Sequence, residues 1–263
     1  MIAAFVVLLL AACAGNVDRG EAALASDDLL AAEDAFRAAL DANPDDPDAL
    51  YGLGWTFHLA GEEDAALDAF ARLSRLHPSR ADGYRGVASV LLGRGDLPGA
   101  RAQLVLAEAA DPDDAALMQS WVILELASGD AAAALSRADA GLARHPDVSP
   151  LLQARSAALL TAGKQAEARA AAERAVAVAE PGRELVAAWI TWVDAVLRES
   201  DGRLDPENCA ATSAPVVGWL DAADHVLDRA EAAGVHRSKV VEARRQVRRR
   251  RAFVEDACSE GGK

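Results

Sequence analysis

The sequence is short of aromatic rings, of cysteine and of positive charge. Of its 263 residues only 5% are Phe, Trp or Tyr, 3 are Cys, and 27 Lys and Arg stand against 41 Asp and Glu, a formal net charge of −14. Each shortage excludes something. Strand-forming runs of Val, Ile, Thr and aromatics are nearly missing outside the first ten residues, which argues against a β-sandwich, a barrel or a dinucleotide-binding sheet. The excess of acid argues against general nucleic-acid binding, because phosphate backbones are held by basic surface. There is no Gly-rich phosphate loop, HExxH, GxSxG or CxxC, so no enzyme, metal or cofactor is expected. What is there instead is alanine, about a quarter of the chain. Alanine favours helix and close helix contact, and a chain this long can bury a core. An all-α protein is expected.

Residues 1–12, MIAAFVVLLLAA, form an uncharged apolar run that ends at Cys13. A bilayer-spanning helix needs about 20 residues, so the run fits the apolar region of an export signal instead. Leu10-Ala11-Ala12-Cys13 resembles the lipobox of bacterial lipoproteins, apart from having no Lys or Arg ahead of the apolar run. The resemblance implies cleavage before Cys13 and acyl chains on its thiol, which would hold the chain at a membrane. Ala14 stands where Asp often marks inner-membrane retention, so the implied address is the bacterial envelope, at the periplasmic face of the outer membrane. A buried or cleaved apolar helix with an incidental cysteine is the alternative. With Cys13 so used, Cys209 and Cys258 are left as an even pair in an oxidising compartment. Parity points to a disulfide closing 49 residues, worth about 4 kcal/mol in the chain-entropy model, with two free thiols as the alternative.

The chain repeats itself. Pro44, Pro78, Pro112 and Pro146 are 34 residues apart, and Gly61, Gly95, Gly129 and Gly163 keep the same interval. Each Gly falls between two helical stretches and each Pro just after the second, which reads as helix, tight turn, helix, stop. Ala66, Ala100, Ala134 and Ala168 fall five residues after the glycines, where a small side chain lets paired helices approach. Leu50, Tyr84, Met118 and Leu152 open the first helices; Leu53, Val87 and Trp121 follow one turn later, then Phe57, Leu91 and Leu159. Phe36, Phe70 and Leu104 share a column on the second helices. This spacing gives each helix one apolar stripe to bury against a neighbour.

The period, the two ladders and the small and large columns resemble the tetratricopeptide repeat family over about residues 17 to 180, as a partial first unit plus four repeats. Arg155 and Glu125 depart from it in columns that are usually apolar, and Gly141 replaces a small Ala. The resemblance implies a right-handed superhelical solenoid whose groove holds peptides or other proteins. The expected organisation is a signal peptide over 1–12, a repeat array over 13–181, and a degenerate repeat with capping helices over 182–263. In that last part 183–200 reads as a further first helix. A turn of about a dozen residues, 201–213, should precede helices over 214–233 and about 235–257.

Residues 182–263 hold 13 Lys and Arg against 14 Asp and Glu, leaving 14 against 27 for 1–181, so the acidity belongs to the repeats. Arg244, Arg245, Arg248, Arg249, Arg250 and Arg251 crowd the last helix, with Val240, Val247 and Val254 on its opposite side. A solvated cap face partly paired with the acidic array is the plain reading; contact with anionic headgroups or an acidic partner is the sharper one. His77 and His145 precede Pro78 and Pro146 at one repeat position, where helix capping explains them better than metal binding. His225, a turn from Asp221 and Asp228, reads as part of a surface ion-pair set.

The family resemblance implies a groove lined by the first helix of each repeat. By register it would include Tyr51, Trp55, His58, Arg85, Ser89, Gln119, Ile123, Gln153 and Ala157. The Lys and Asn residues with which some tetratricopeptide domains clamp a C-terminal carboxylate are missing there. Tyr51 and Trp55, one turn apart, could stack on a bound peptide or pack on the short leading unit. The expected function is a lipid-anchored interaction scaffold that holds envelope proteins or peptides in this groove and assists assembly of a pilus, secretin or outer-membrane machine. The alternative is a non-catalytic regulator or adaptor of a peptidoglycan or other envelope enzyme.

Overall fold

A computed structural model describes residues 15–179, 183–203, 209–232 and 237–260, and all regular structure among them is helical. Cys13 and the side chains of Cys209 and Cys258 lie outside the described residues. The chain forms two compact units that divide between Gly129 and Asp130, inside the third repeat. The first unit contains α1 (15–25), α2 (Leu29–Ala42), α3 (Pro47–Ala60), α4 (Glu63–Leu76), α5 (Ala81–Gly93), α6 (Leu97–Ala110) and α7 (Ala115–Ala127). The second contains α8 (Ala131–Arg144), α9 (Ser149–Thr161), α10 (Gln165–Val178), α11 (Arg183–Arg203), α12 (Cys209–Ala232) and α13 (Arg237–Glu260).

The ladders do what their chemistry requires. Gly61, Gly95, Gly129 and Gly163 all take left-handed backbone, with φ of 79°, 76°, 80° and 74°, a region costly for residues with a Cβ. The residue after such a glycine donates its amide five residues back, Glu62 to Phe57, Asp96 to Leu91 and Lys164 to Leu159, closing the first helix of the repeat. Asp27, one period before Gly61, has φ of 63° and the same pattern through Asp28 to Ala23, so the leading unit is built like the others. At the other end, the residue before each ladder proline, Asn43, His77, Asp111 or His145, ends the second helix with φ between −126° and −147°. A proline disfavours helical backbone in its predecessor, and the helix stops there.

Between the turns, Ala66, Ala100, Ala134 and Ala168 are fully buried, as is Ala32 one period earlier. The aromatic column sits in holes made by glycine. A Cβ on Gly20 or Gly52 would meet the Phe36 ring at 2.6 and 2.2 Å, and one on Gly54 or Gly86 would meet the Phe70 ring at 2.5 and 2.3 Å. Each phenyl ring therefore occupies space surrendered by two first helices. Where Leu104 takes the next place in the column, the matching positions are Ala88 and Ser120. Side-chain volume moves from one helix to its neighbours while the sum stays roughly level.

In the second unit α11 packs on α9 and α10 as the next first helix would. Trp189, Trp192, Val193 and Val196 join Val216, Leu220, Ala223 and Leu227 of α12 and Val240, Ala243, Val247 and Val254 of α13 in one core. The connection differs from expectation. α11 runs on to Arg203 and α12 already begins at Cys209, so Cys209 is helical rather than part of a long turn. Pro215 then lies inside α12 instead of marking its start, leaving one helical carbonyl without its amide.

Candidate functional site

Five of the nine groove positions come together. Trp55 of α3, Arg85 and Ser89 of α5, and Gln119 and Ile123 of α7 line one cleft of about 420 Å³, completed by Leu92, Gly93, Ser120 and Ala127. These are the first helices of three successive repeats, so a one-period step along the sequence is one step along the wall. The lining alternates apolar surface with amide and hydroxyl groups. Ile123 is 44% exposed, a large apolar side chain with no protein cover on its outer side.

The other positions stand beside it or elsewhere. Tyr51 and Trp55 meet edge to face at 6.1 Å, and both rest on Phe70 of α4, at 6.1 and 5.7 Å. Their ring partner is thus the second helix of the same repeat, not the leading unit, and Trp55 keeps its outer face for the cleft. His58 sits 5.3 Å from the Trp55 ring, and its Nε2 is 3.4 Å from the Ser89 hydroxyl. Burial pushes His58 below the ordinary histidine value, against a weaker upward pull from Glu63. A neutral imidazole is the form that this half-buried place favours. Arg85 pairs through Nε with Asp114 at 2.7 Å, and Asp114 also caps α7 by accepting the Ala116 amide. The guanidinium is therefore held as part of the wall. Gln153 and Ala157 belong to the second unit, where the Gln153 amide donates to Ser149 and its carbonyl accepts from Thr191.

A tetratricopeptide repeat profile matches residues 17–73 and 64–115. Residues 17–115 carry tetratricopeptide repeats. A thermophilic tetratricopeptide protein of Thermus thermophilus aligns with a TM-score of 0.63 at 24% identity, over 70% of this chain and 99% of that one. The structure of pilF from Pseudomonas aeruginosa aligns at 0.56 and 14% identity, over 89% and 97%. Yeast Tom70 aligns at 0.58 and 14%, over 87% of this chain and 43% of its own. No curated protein matches. These likenesses establish the tetratricopeptide fold. The cleft is lined by residues in the register where the family places its groove.

Outside the cleft, ion pairs account for the charged residues that depart from the tetratricopeptide pattern. Glu125, in an apolar column and 8% exposed, accepts both Nη1 and Nη2 of Arg101 at 3.1 Å while that guanidinium lies 5.6 Å over the Trp121 ring. Arg155 pairs with Asp139 at 2.6 Å. His77 and His145 are the C-cap residues that follow α4 and α8, and the His77 ring also reaches the Asp45 carbonyl at 2.8 Å. Among the described residues no three His, Cys, Asp or Glu side chains could hold a metal, and no helix is long and apolar enough to cross a membrane.

The arginine helix is paired differently from the expectation. Arg244 reaches Asp228 and Glu231 at 2.9 and 3.1 Å, and Arg251 reaches Asp221 and Asp224 at 2.7 and 2.8 Å. The partners are carboxylates of α12, not of the repeat array, and they take up the acids first read as neighbours of His225. The acidity itself is narrower than the array. Residues 1–129 hold 8 Lys and Arg against 21 Asp and Glu, and residues 130–263 hold 19 against 20.

Proposed function

We propose that this tetratricopeptide protein holds an extended segment of an envelope protein in the cleft of its first unit, and that an acylated Cys13 keeps it at the outer membrane. The observation that carries the reading is the convergence of Trp55, Ser89, Gln119 and Ile123 from α3, α5 and α7 on one open cleft. Indole and sec-butyl surface can anchor apolar side chains, while the Gln119 amide and the Ser89 and Ser120 hydroxyls can pair with peptide backbone. The acid of residues 1–129 favours a segment that carries basic residues. Assembly of a pilus, secretin or outer-membrane machine is the role that fits an anchored scaffold of this kind.

The test is partner capture by crosslinking from solubilised envelope. Trp55→Ala and Ile123→Glu should each cut recovery of the partner by about tenfold or more, the ordinary size of a buried anchor. Unchanged recovery of every partner would remove the cleft from the function, and recurrent capture of a hydrolase would favour the regulator. For the anchor, Cys13→Ser should move the protein to the soluble fraction. If the compartment is oxidising, alkylation without reductant should find no thiol at Cys209 or Cys258.

A further inference from the structure

Helix α13 leans on α12 along its core side and touches α11 only sparingly, which leaves a second cleft, of about 490 Å³, between α11 and α13. Its walls are Asp194, Leu197 and Arg198 from α11 and Gln246, Arg249, Arg250 and Phe253 from α13. The residues at 246, 249, 250 and 253 share one helical face by their spacing of three, one and three. That face is distinct from the one bearing Arg244 and Arg251, whose charges α12 already neutralises.

We propose that the cleft between α11 and α13 binds the phosphate of an anionic phospholipid headgroup, with Arg198 and Arg249 on the phosphate and Phe253 and Leu197 against the apolar part of the lipid. Arg249 has no carboxylate partner among the described residues, whereas Arg245 is paired with Glu242 at 3.1 Å. Arg198 is held by Asp194 of the same helix at 3.1 Å, an exposed pair in which the carboxylate is the one acid of the cleft. Arg198 and Arg249 face the single carboxylate of Asp194, which leaves these two guanidiniums one positive charge in excess, in a chain whose net charge would otherwise keep it from an anionic surface. Guanidinium is the side chain best matched to phosphate, since its fork donates two parallel hydrogen bonds. Burial lowers the Arg250 guanidinium from its ordinary value, and an anion beside it would offset that desolvation. Phe253 is 53% exposed and lies 5.3 Å from the Arg250 guanidinium. A ring left half in water beside cations suits a lipid interface, where an apolar body meets a charged head, better than a plain acidic peptide.

The experiment is sedimentation of the full chain with phosphatidylcholine vesicles that either contain or lack phosphatidylglycerol, at physiological salt. The chain carries Cys13→Ser, so that no acyl chain enters either vesicle and the difference between them reads the cleft. Binding should require phosphatidylglycerol, and Arg198→Gln with Arg249→Gln should weaken it about thirtyfold. Phe253→Ser should weaken it less, and Arg94→Gln in the first unit should not change it. Helix content and thermal midpoint of each variant show that it is folded. Displacement by soluble glycerol phosphate at comparable concentration would support the phosphate site and make its source soluble. Equal binding to both vesicles, no loss in the double variant, or equal displacement by polyglutamate would overturn the proposal.

Discussion

The two units share one repeat plan and hold it together by different means. In the first unit phenyl rings fill glycine holes, and Asp28, Asp46, Asp96 and Asp114 cap α2, α3, α6 and α7 by accepting backbone amides. In the second the corresponding column has shrunk to Ala138 and Ala172, and Asp130 alone among α8, α9 and α10 makes a side-chain cap bond. Arginine bridges occur in both units, and in the second Arg169 reaches Glu199 at 2.7 Å and lies 4.8 Å over the Trp219 ring. A period therefore specifies where helices turn, while what fills the space between them is chosen locally. Part of the first unit's negative charge is also explained, because its caps are carboxylates.

The contrast is easiest to break at the phenyl column. Phe70→Ala should cost about 3–5 kcal/mol by leaving a buried cavity, and Gly86→Ala about 1–3 kcal/mol by forcing a methyl onto the ring. Combining Phe70→Leu with Gly54→Ala and Gly86→Ser copies the trio of the next repeat and should recover most of the loss. Urea unfolding measures all three. A Gly86→Ala chain more stable than the parent, through the helix propensity of alanine, would show that the hole is not tight.

In the second unit Glu199 is 3% exposed, so Arg169→Met should cost about 3 kcal/mol by taking a guanidinium away from a buried carboxylate. Arg169→Met with Glu199→Leu should restore much of it. The exposed Arg198 and Asp194 pair should show under about 1 kcal/mol in a double-mutant cycle. The caps come next. Asp96→Ala should cost about 1 kcal/mol, and Lys164→Asp should stabilise α10 by a similar or smaller amount, bringing the second unit toward the first.

The smallest effect is one of pH. His58 is held below the ordinary histidine value of 6.5 by burial, with Glu63 opposing. As pH falls through that value the unfolded chain takes up its proton first, so stability falls, and continues to fall until the folded imidazole also titrates. Thermal midpoints of His58→Gln should lose this part of the acid dependence. A variant with the parent's slope would place the titration elsewhere.

Much of this was legible from the residues. Gly61 and Pro78 declare their roles because φ above zero and the restriction before proline are properties of single residues. The groove register followed from the period, and five of its positions meet in one cleft. The glycine holes have a signal of their own in the sequence, since Gly20 and Gly54, Gly52 and Gly86, and Phe36 and Phe70 each stand 34 apart. The bridge from Arg169 to Glu199 spans 30 residues and follows no period, so no pattern in the chain announces it. The unit boundary at Gly129 was hidden for the opposite reason, because that glycine looks like its three equivalents.

The central claim is that a partner lies against Ile123 rather than on the outer helices. A photoreactive residue placed at Ile123, compared with one at exposed Leu106 of α6, tests it in cells that make the protein. The account predicts a partner adduct at Ile123 that disappears with Trp55→Ala, and none at Leu106. An adduct at Leu106 that survives Trp55→Ala, with none at Ile123, would contradict it.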